Sequence, residues 1–498
     1  MKSIWKLVCT LFSIVGTALA LTLEGRGTNK HTYEVKLKKS DTYREDDLLR
    51  SYMNEQITRD AIQLLGVDAV SSSTISLTAS RCNRLWTTYY GEIIIGNVED
   101  EEDRFKVLFD TGSSELWVPD ELCQSSACLS RKRLTREGSW FPKHDVHGNY
   151  IPIIVKYLTG EMKAIDGISD VNLLNGITVK NANVGLATHI DIPILMDLPW
   201  DGILGLGFIT DDQISRGSKP LLQSIQDDEL MYPNFRNQFA YYVTKNGGSV
   251  TFGGYKNEYK KSPGDVFQWA PVASKGSYWA VNLLSVGLKE SGYKNNKNIR
   301  LSTTKCPTSE NLSPTSNNAD VQQNDPVLDT DDKDPYIAND NTRHTTVSTT
   351  SEDSSDISQE EFIETVFHNR LDDTKVIIDT GTFLIYAPQN MKNLITSLNV
   401  NDCDQVNNLP TLVFTFEGKG IAQNGMVQVE LEPNDYILKF VDEDGQKRCT
   451  LAITVDYQAE ELQLNAWTFG EVFLRKYYTV FDYDQRQIGF TPSKQDID

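Results

Sequence analysis

Short runs of β-branched and aromatic residues, each closed by Gly, Asn or Asp, recur from about Trp86 onward: Tyr89 to Gly96, Phe105 to Asp110, Ile151 to Tyr157, Gly176 to Val184 and Ser249 to Gly254. Runs of this length and composition predict strands separated by turns. The texture returns after Phe267, with Lys256 to Gly264 dividing the two stretches. Each stretch has its own apolar strand set, so the expected fold is all-β dominated with two lobes, residues 81–262 and 263–498, and not one sandwich. Residues 21–80 read differently, with basic Lys36, Lys38 and Lys39, a helical pattern around Asp47 to Leu65, and none of the strand-rich text. Residues 291–361 are crowded with Asn, Asp, Ser and Thr and nearly lack aromatics, which predicts a disordered acidic insert, because too little apolar area is available to offset ordering entropy.

Two of the predicted strands end almost identically. Val107-Leu108-Phe109-Asp110-Thr111-Gly112-Ser113-Ser114 is matched by Val376-Ile377-Ile378-Asp379-Thr380-Gly381-Thr382-Phe383. One Asp-Thr-Gly is ordinary turn chemistry. A matched pair delivers one acid from each half to the mouth of a buried strand, and paired carboxyls suit general acid and base work.

Composition narrows the setting. The chain has 498 residues, is 39% hydrophobic and carries a formal net charge of -21. Such a charge repels phosphate, which argues against nucleic acid or an anionic membrane as the main partner and is compatible with an acidic workplace. Residues 1–20 have the parts of a secretory signal: Lys2 and Lys6, an apolar core through Leu11 to Val15, and Ala18-Leu19-Ala20. No later run is long enough for a membrane anchor. Of seven cysteines, Cys9 lies in that signal, leaving Cys82, Cys123, Cys128, Cys306, Cys403 and Cys449. An even number in an exported chain suggests disulfides, although six allow fifteen pairings. Neither these cysteines nor His144 and His147 have zinc-site spacing, and Asp329 to Asp334 lacks the Gly and terminal Glu of a calcium loop, so no metal is expected.

Several separate segments together resemble the pepsin-like aspartic proteases across most of residues 85–290 and 365–493. They are the two Asp-Thr-Gly runs, Leu116-Trp117-Val118-Pro119, Trp200-Asp201-Gly202-Ile203-Leu204-Gly205-Leu206-Gly207, Trp467-Thr468-Phe469-Gly470 and Tyr477-Tyr478-Thr479-Val480-Phe481-Asp482. The resemblance implies two β-barrel-like lobes around a central cleft, covered by a flap hairpin. It implies that Asp110 and Asp379 activate a water for peptide hydrolysis without a cofactor, that Thr111 and Thr380 lock the two loops, and that Ser113 and Thr382 bond the outer carboxyl oxygens. Gly112 and Gly381 would let backbone amides come close to the acids. Val155 to Glu161 resembles the flap, with Tyr157, Thr159 and Gly160 over the cleft and Trp117 receiving the Tyr157 hydroxyl. Leu108, Trp200, Ile203 and Ile377 would line apolar pockets beside the scissile bond. Cys123 with Cys128, and Cys403 with Cys449, match the family's disulfide loops, and on that resemblance Cys82 is left to pair with Cys306.

Leu158, Phe383 and Glu471 depart from the family's usual glycine, serine and Asp, which bears on substrate preference. Residues 21–80 take the place of a propeptide, with Lys36, Lys38 or Lys39 reaching the acids until low pH releases them. The expected protein is a monomeric acid endopeptidase of the secretory pathway, extracellular or in an acidic vacuole or lysosome-like compartment, acting on proteins or peptides. A catalytically silent pepsin-like binding or inhibitor protein is the alternative, since fold does not entail function.

Overall fold

The computed structural model describes residues 32–39, 89–96, 103–157, 160–192, 195, 198–228, 230–232, 235–273, 278–289, 363–368, 374–398, 400, 402–419, 425–441, 446–455 and 466–495. All of them belong to one compact unit formed by residues 1–291 and 362–498. The predicted signal, the helical pattern at Asp47 to Leu65, the acidic insert, Cys82 and Cys306 lie outside the described residues.

Strands dominate, as the sequence pattern predicts. The five quoted runs appear as Tyr89–Ile95, Arg104–Asp110, Pro152–Tyr157, Thr178–Asn183 and Gly247–Phe252. A 16-stranded sheet runs through the first half and continues into the second, while an 8-stranded sheet belongs to the second half alone. Among the described residues both sheets have free ends in their strand order, so the lobes are open β structures and not closed barrels.

The halves are joined by strand pairing and by aromatic packing. Gln238–Thr244 pairs antiparallel with Tyr477–Asp482, placing Tyr241 opposite Thr479. Phe239 stacks on Phe481 at 4.7 Å, Phe208 meets Trp279 at 4.3 Å, and the Trp279 indole N–H donates to the Leu206 carbonyl at 2.8 Å. Burying each such ring is worth roughly 1.5–3 kcal/mol, so the base beneath the cleft is held firmly.

One expectation fails in residues 21–80. Tyr33–Lys39 is a strand, paired with Gly247–Phe252 on one side and, through Lys38 and Lys39, with Tyr90 and Tyr89 on the other. Its alternation explains this: Val35 and Leu37 are buried while Lys36 and Lys38 face out, the period of a half-buried strand. Lys36 and Lys38 do not reach the acids either. Lys36 donates to Glu34 and to the Tyr259 hydroxyl, and Lys38 pairs with Glu92. The Lys39 side chain is outside what is described.

Cys123 joins Cys128 and Cys403 joins Cys449, with Cα separations of 5.9 and 5.4 Å. Among the described residues no helix is long and apolar enough to cross a membrane.

Candidate active site

Each Asp-Thr-Gly run sits at the end of a strand that has a parallel neighbour. Gly202–Gly205 lies beside Arg104–Asp110, placing Gly205 opposite Asp110, and Ala466–Phe469 lies beside Lys375–Ile378, placing Phe469 opposite Ile378. The Leu206 amide donates to the Asp110 carbonyl at 2.7 Å, and the Asp379 amide to the Phe469 carbonyl at 3.0 Å. The two runs are therefore delivered by the same local architecture, built once in each half.

The threonines hold the loops to each other. The Thr111 amide donates to Thr380 Oγ1 at 2.9 Å, and the Thr380 amide to Thr111 Oγ1 at 3.0 Å. Thr111 Oγ1 in turn donates to the Ile378 carbonyl at 2.8 Å and Thr380 Oγ1 to the Phe109 carbonyl at 2.6 Å. Both side chains are fully buried, so each hydroxyl is donor and acceptor with no water to substitute for it.

The carboxyls are held in mirrored fashion. Asp110 Oδ1 accepts from the Gly112 amide at 2.8 Å and Asp379 Oδ1 from the Gly381 amide at 2.8 Å. Ser113 donates to Asp110 Oδ2, and Thr382 to Asp379 Oδ2 at 2.7 Å. The two acids face each other closely enough that one Cβ placed on Gly112 would lie 2.9 Å from Asp379 Oδ1 and 3.1 Å from Asp110 Oδ1. A Cβ on Gly381 would lie 2.6 Å from Asp110 Oδ1, so only glycine allows this approach from both loops.

Burial, then the Asp379 charge, push the Asp110 carboxyl up to about 7 against the Ser113 and Gly112 hydrogen bonds. Burial also raises Asp379, opposed by Thr382 and Gly381. Two such groups titrate as a pair that retains one proton in common. One neutral and one ionised carboxyl can give and take a proton at neighbouring oxygens.

The flap is a hairpin of Pro152–Tyr157 and Gly160–Ile165, with Tyr157 opposite Gly160. Gly160 has φ +148°, and a Cβ there would stand 1.9 Å from the Asp191 carbonyl oxygen. Leu158 and Thr159 lie outside the described residues. The Trp117 indole N–H donates to the Tyr157 hydroxyl at 2.7 Å, the reverse of the expected direction, because indole nitrogen has only a donor. Burial and the Asp110 charge raise the Tyr157 hydroxyl far above its ordinary value, so it stays protonated beside the acids. Leu108, Trp117, Trp200 and Ile203 share one buried apolar cluster, with Tyr157 packed against it. Ile377 is half-buried on its strand, on the face opposite Val376 and Ile378.

Two neighbours were not singled out in the sequence as site residues. Tyr278 immediately precedes Trp279, whose carbonyl accepts from the Ile378 amide at 2.9 Å, and burial with the charges of Asp379 and Asp110 raises its hydroxyl. Tyr241 donates to the fully buried Glu471 at 2.8 Å. Burial pushes Glu471 up to about 8, with the Asp379 charge adding to it and the Tyr241 bond and Arg475 charge opposing. The Glu471 amide also donates to the Thr382 carbonyl at 2.8 Å, setting Glu471 directly behind the Asp379 loop.

Known proteins are similar to this chain over most of its length. Plasmepsin VII of Plasmodium falciparum (isolate NF54) is 33% identical over 477 residues, 94% of this chain and 89% of that protein. Plasmepsin VI of Plasmodium berghei (strain Anka) is 26% identical over 82% of this chain and 76% of its own length. Pepsin A of Rhinolophus ferrumequinum is 27% identical over 93% of this chain and 96% of its own. A family model described as eukaryotic aspartyl protease matches residues 88–325 and 341–493, and the chain belongs to that pepsin-like family.

Proposed function

We propose that the protein is an aspartic endopeptidase that hydrolyses peptide bonds of proteins at acidic pH through a water activated by Asp110 and Asp379. The observation that carries this reading is the mirrored pair of carboxyls, each held by its own glycine amide and hydroxyl, between Thr-locked loops. The ionised carboxyl takes a proton from the water as its oxygen adds to the peptide carbonyl carbon. The neutral carboxyl gives its proton to the carbonyl oxygen, forming a diol. Proton return to the nitrogen then breaks the C–N bond, and the pair regains its single proton. The chemistry so written uses no metal and no covalent enzyme intermediate. Tyr157 and Trp117 cover the pair and limit water, and Leu108, Trp200, Ile203 and Ile377 favour bulky apolar residues next to the bond cut.

The protein is read as made as a zymogen in which Tyr33–Lys39 lies between Gly247–Phe252 and Tyr89–Ile95, with Lys36 bonded to Tyr259 and Lys38 to Glu92 and neither to the acids. The protein is read as a monomer routed by its signal to the extracellular space or an acidic compartment. The test is cleavage of a denatured protein across acid pH, with Asp110→Asn as control. Hydrolysis by the processed protein that is absent in the variant is expected. Equal turnover by both would place the hydrolysis elsewhere than on Asp110, and none by either after processing would favour a silent binding protein; each outcome overturns the reading.

A further inference from the structure

Away from the acids, a groove of about 640 Å³ opens between the hairpin Ile437–Val441 with Lys447–Leu451, the helix Glu471–Leu474 and the end of the last strand. Its charge is opposite to that of the chain. Five of its fourteen lining residues are Lys or Arg and two are acids, in a protein of formal net charge -21.

The cations are unequally engaged. Lys476 is neutralised locally, by Asp435 and, at 3.6 Å, by Glu432. Lys439 donates at 2.8 Å to the Asn434 side-chain carbonyl, a neutral partner that leaves its charge uncompensated. Lys245 and Lys261 are exposed, and among the described residues neither side chain has a hydrogen-bond or ion-pair partner.

The walls are pre-set. The Ser493 amide donates to the Lys476 carbonyl at 2.8 Å, the Lys261 amide to the Pro492 carbonyl at 2.9 Å, and Gln495 Nε2 to the Arg475 carbonyl at 2.6 Å. A ligand therefore meets cations whose backbones are already fixed, which lowers the ordering cost of binding.

The geometry points to a docking groove for an acidic peptide segment, separate from the proposed cleavage site. Ile437, Leu438 and Val472, 2, 8 and 3% exposed, give it a narrow apolar floor between the cations, and Glu432 and Asp435 interrupt the positive charge. A continuous polyanion is repelled at those two acids, whereas a peptide alternating acidic and apolar side chains can place carboxylates at Lys245, Lys261 and Lys439 and its apolar groups on the floor. The volume is that of an ordinary ligand site.

The probe is a fluorescein-labelled hexapeptide alternating Glu and Leu, with binding to the full chain followed by anisotropy at about pH 7, where its carboxylates are ionised. Saturable binding is expected, weakened at least about tenfold in the double variant K245E/K261E and weakened by added salt. Equal binding by the variant, or none by the parent up to about 1 mM, an affinity near -4 kcal/mol, would overturn the proposal. Equally strong competition by tripolyphosphate would replace the peptide with a simple anion and overturn it too. Cleavage of a short uncharged peptide serves as the second readout. It should be unchanged in K245E/K261E, and a parallel loss would mean that the groove is not separate.

Discussion

Removing the Thr380 hydroxyl tests whether the lock between the loops, and not the carboxyls alone, makes the site. Thr380→Val keeps the side-chain shape but deletes an acceptor for the Thr111 amide and a donor to the Phe109 carbonyl. Both orphaned groups are buried, and each unsatisfied group costs about 1–3 kcal/mol, so the variant loses about 2–6 kcal/mol. With an unfolding entropy near 2.1 cal/mol/K per residue over the roughly 300 described residues, apparent Tm falls by roughly 3–10 °C. Because the loops also set the carboxyl positions, peptide hydrolysis should fall about 100-fold, the scale expected for displacement by about 1 Å. Thr380→Ser keeps the hydroxyl and should retain most of both. Thr111→Val orphans two other buried groups, the Thr380 amide and the Ile378 carbonyl, so the stability losses should add, whereas the hydrolysis lost to one displacement of the loops should be little worse in the Val–Val double variant than in either single variant. Tm would be read by thermal shift and kcat/KM on a quenched peptide. Strict additivity of the two Val substitutions in kcat/KM, or a Ser variant as damaged as the Val variant, would refute the reasoning.

Three further outcomes follow from titration and packing. The raised carboxyl of Asp110 favours the fold most below its unfolded value near 3.9, and that contribution is lost as pH rises toward about 7. Asp110→Asn should therefore raise Tm at about pH 7 while leaving it little changed near pH 3.5, and a variant that is less stable at neutral pH contradicts the shift. Glu471 is neutral below about 8, so by the same linkage Glu471→Gln should unfold near the parent temperature at about pH 4 and above it at about pH 7, whereas Glu471→Ala, which strips the partner from Tyr241, should lose about 2–4 kcal/mol at about pH 4. Burial raises Glu34, but Lys256, Lys36, Tyr259 and Ser249 outweigh it and bring it down to about 2. The ion pairs at Glu34 thus persist from its unfolded value down toward pH 2, and hydrogen exchange at Tyr33–Lys39 should stay slow at about pH 3.5.

The sequence made the acids legible because the same eight-residue pattern occurs twice, and repetition is a signal that one chain carries without any comparison. The strands were legible because their apolar runs are short and bounded by turn residues. Tyr33–Lys39 was missed because lysines at alternate positions made the segment read as charged, although Tyr33, Val35 and Leu37 keep a period of two. Tyr278, Tyr241 and the direction of the Trp117 bond were not readable as site features. They depend on which strands become neighbours across long stretches of chain, and local pattern does not encode that.

The strand Tyr33–Lys39 also has a mechanical role. A Cβ on Gly91 would fall 2.6 Å from the Phe109 ring and 2.8 Å from Val35 Cγ1, so Val35, Gly91 and Phe109 crowd one spot. Phe109 precedes the first acid, and its carbonyl receives the Thr380 hydroxyl. Excising the segment would empty the space behind Phe109 and bare the facing flanks of Gly247–Phe252 and Tyr89–Ile95 to intermolecular pairing. Maturation that cuts here must slot in a substitute length of backbone promptly, or the product will clump before it can work.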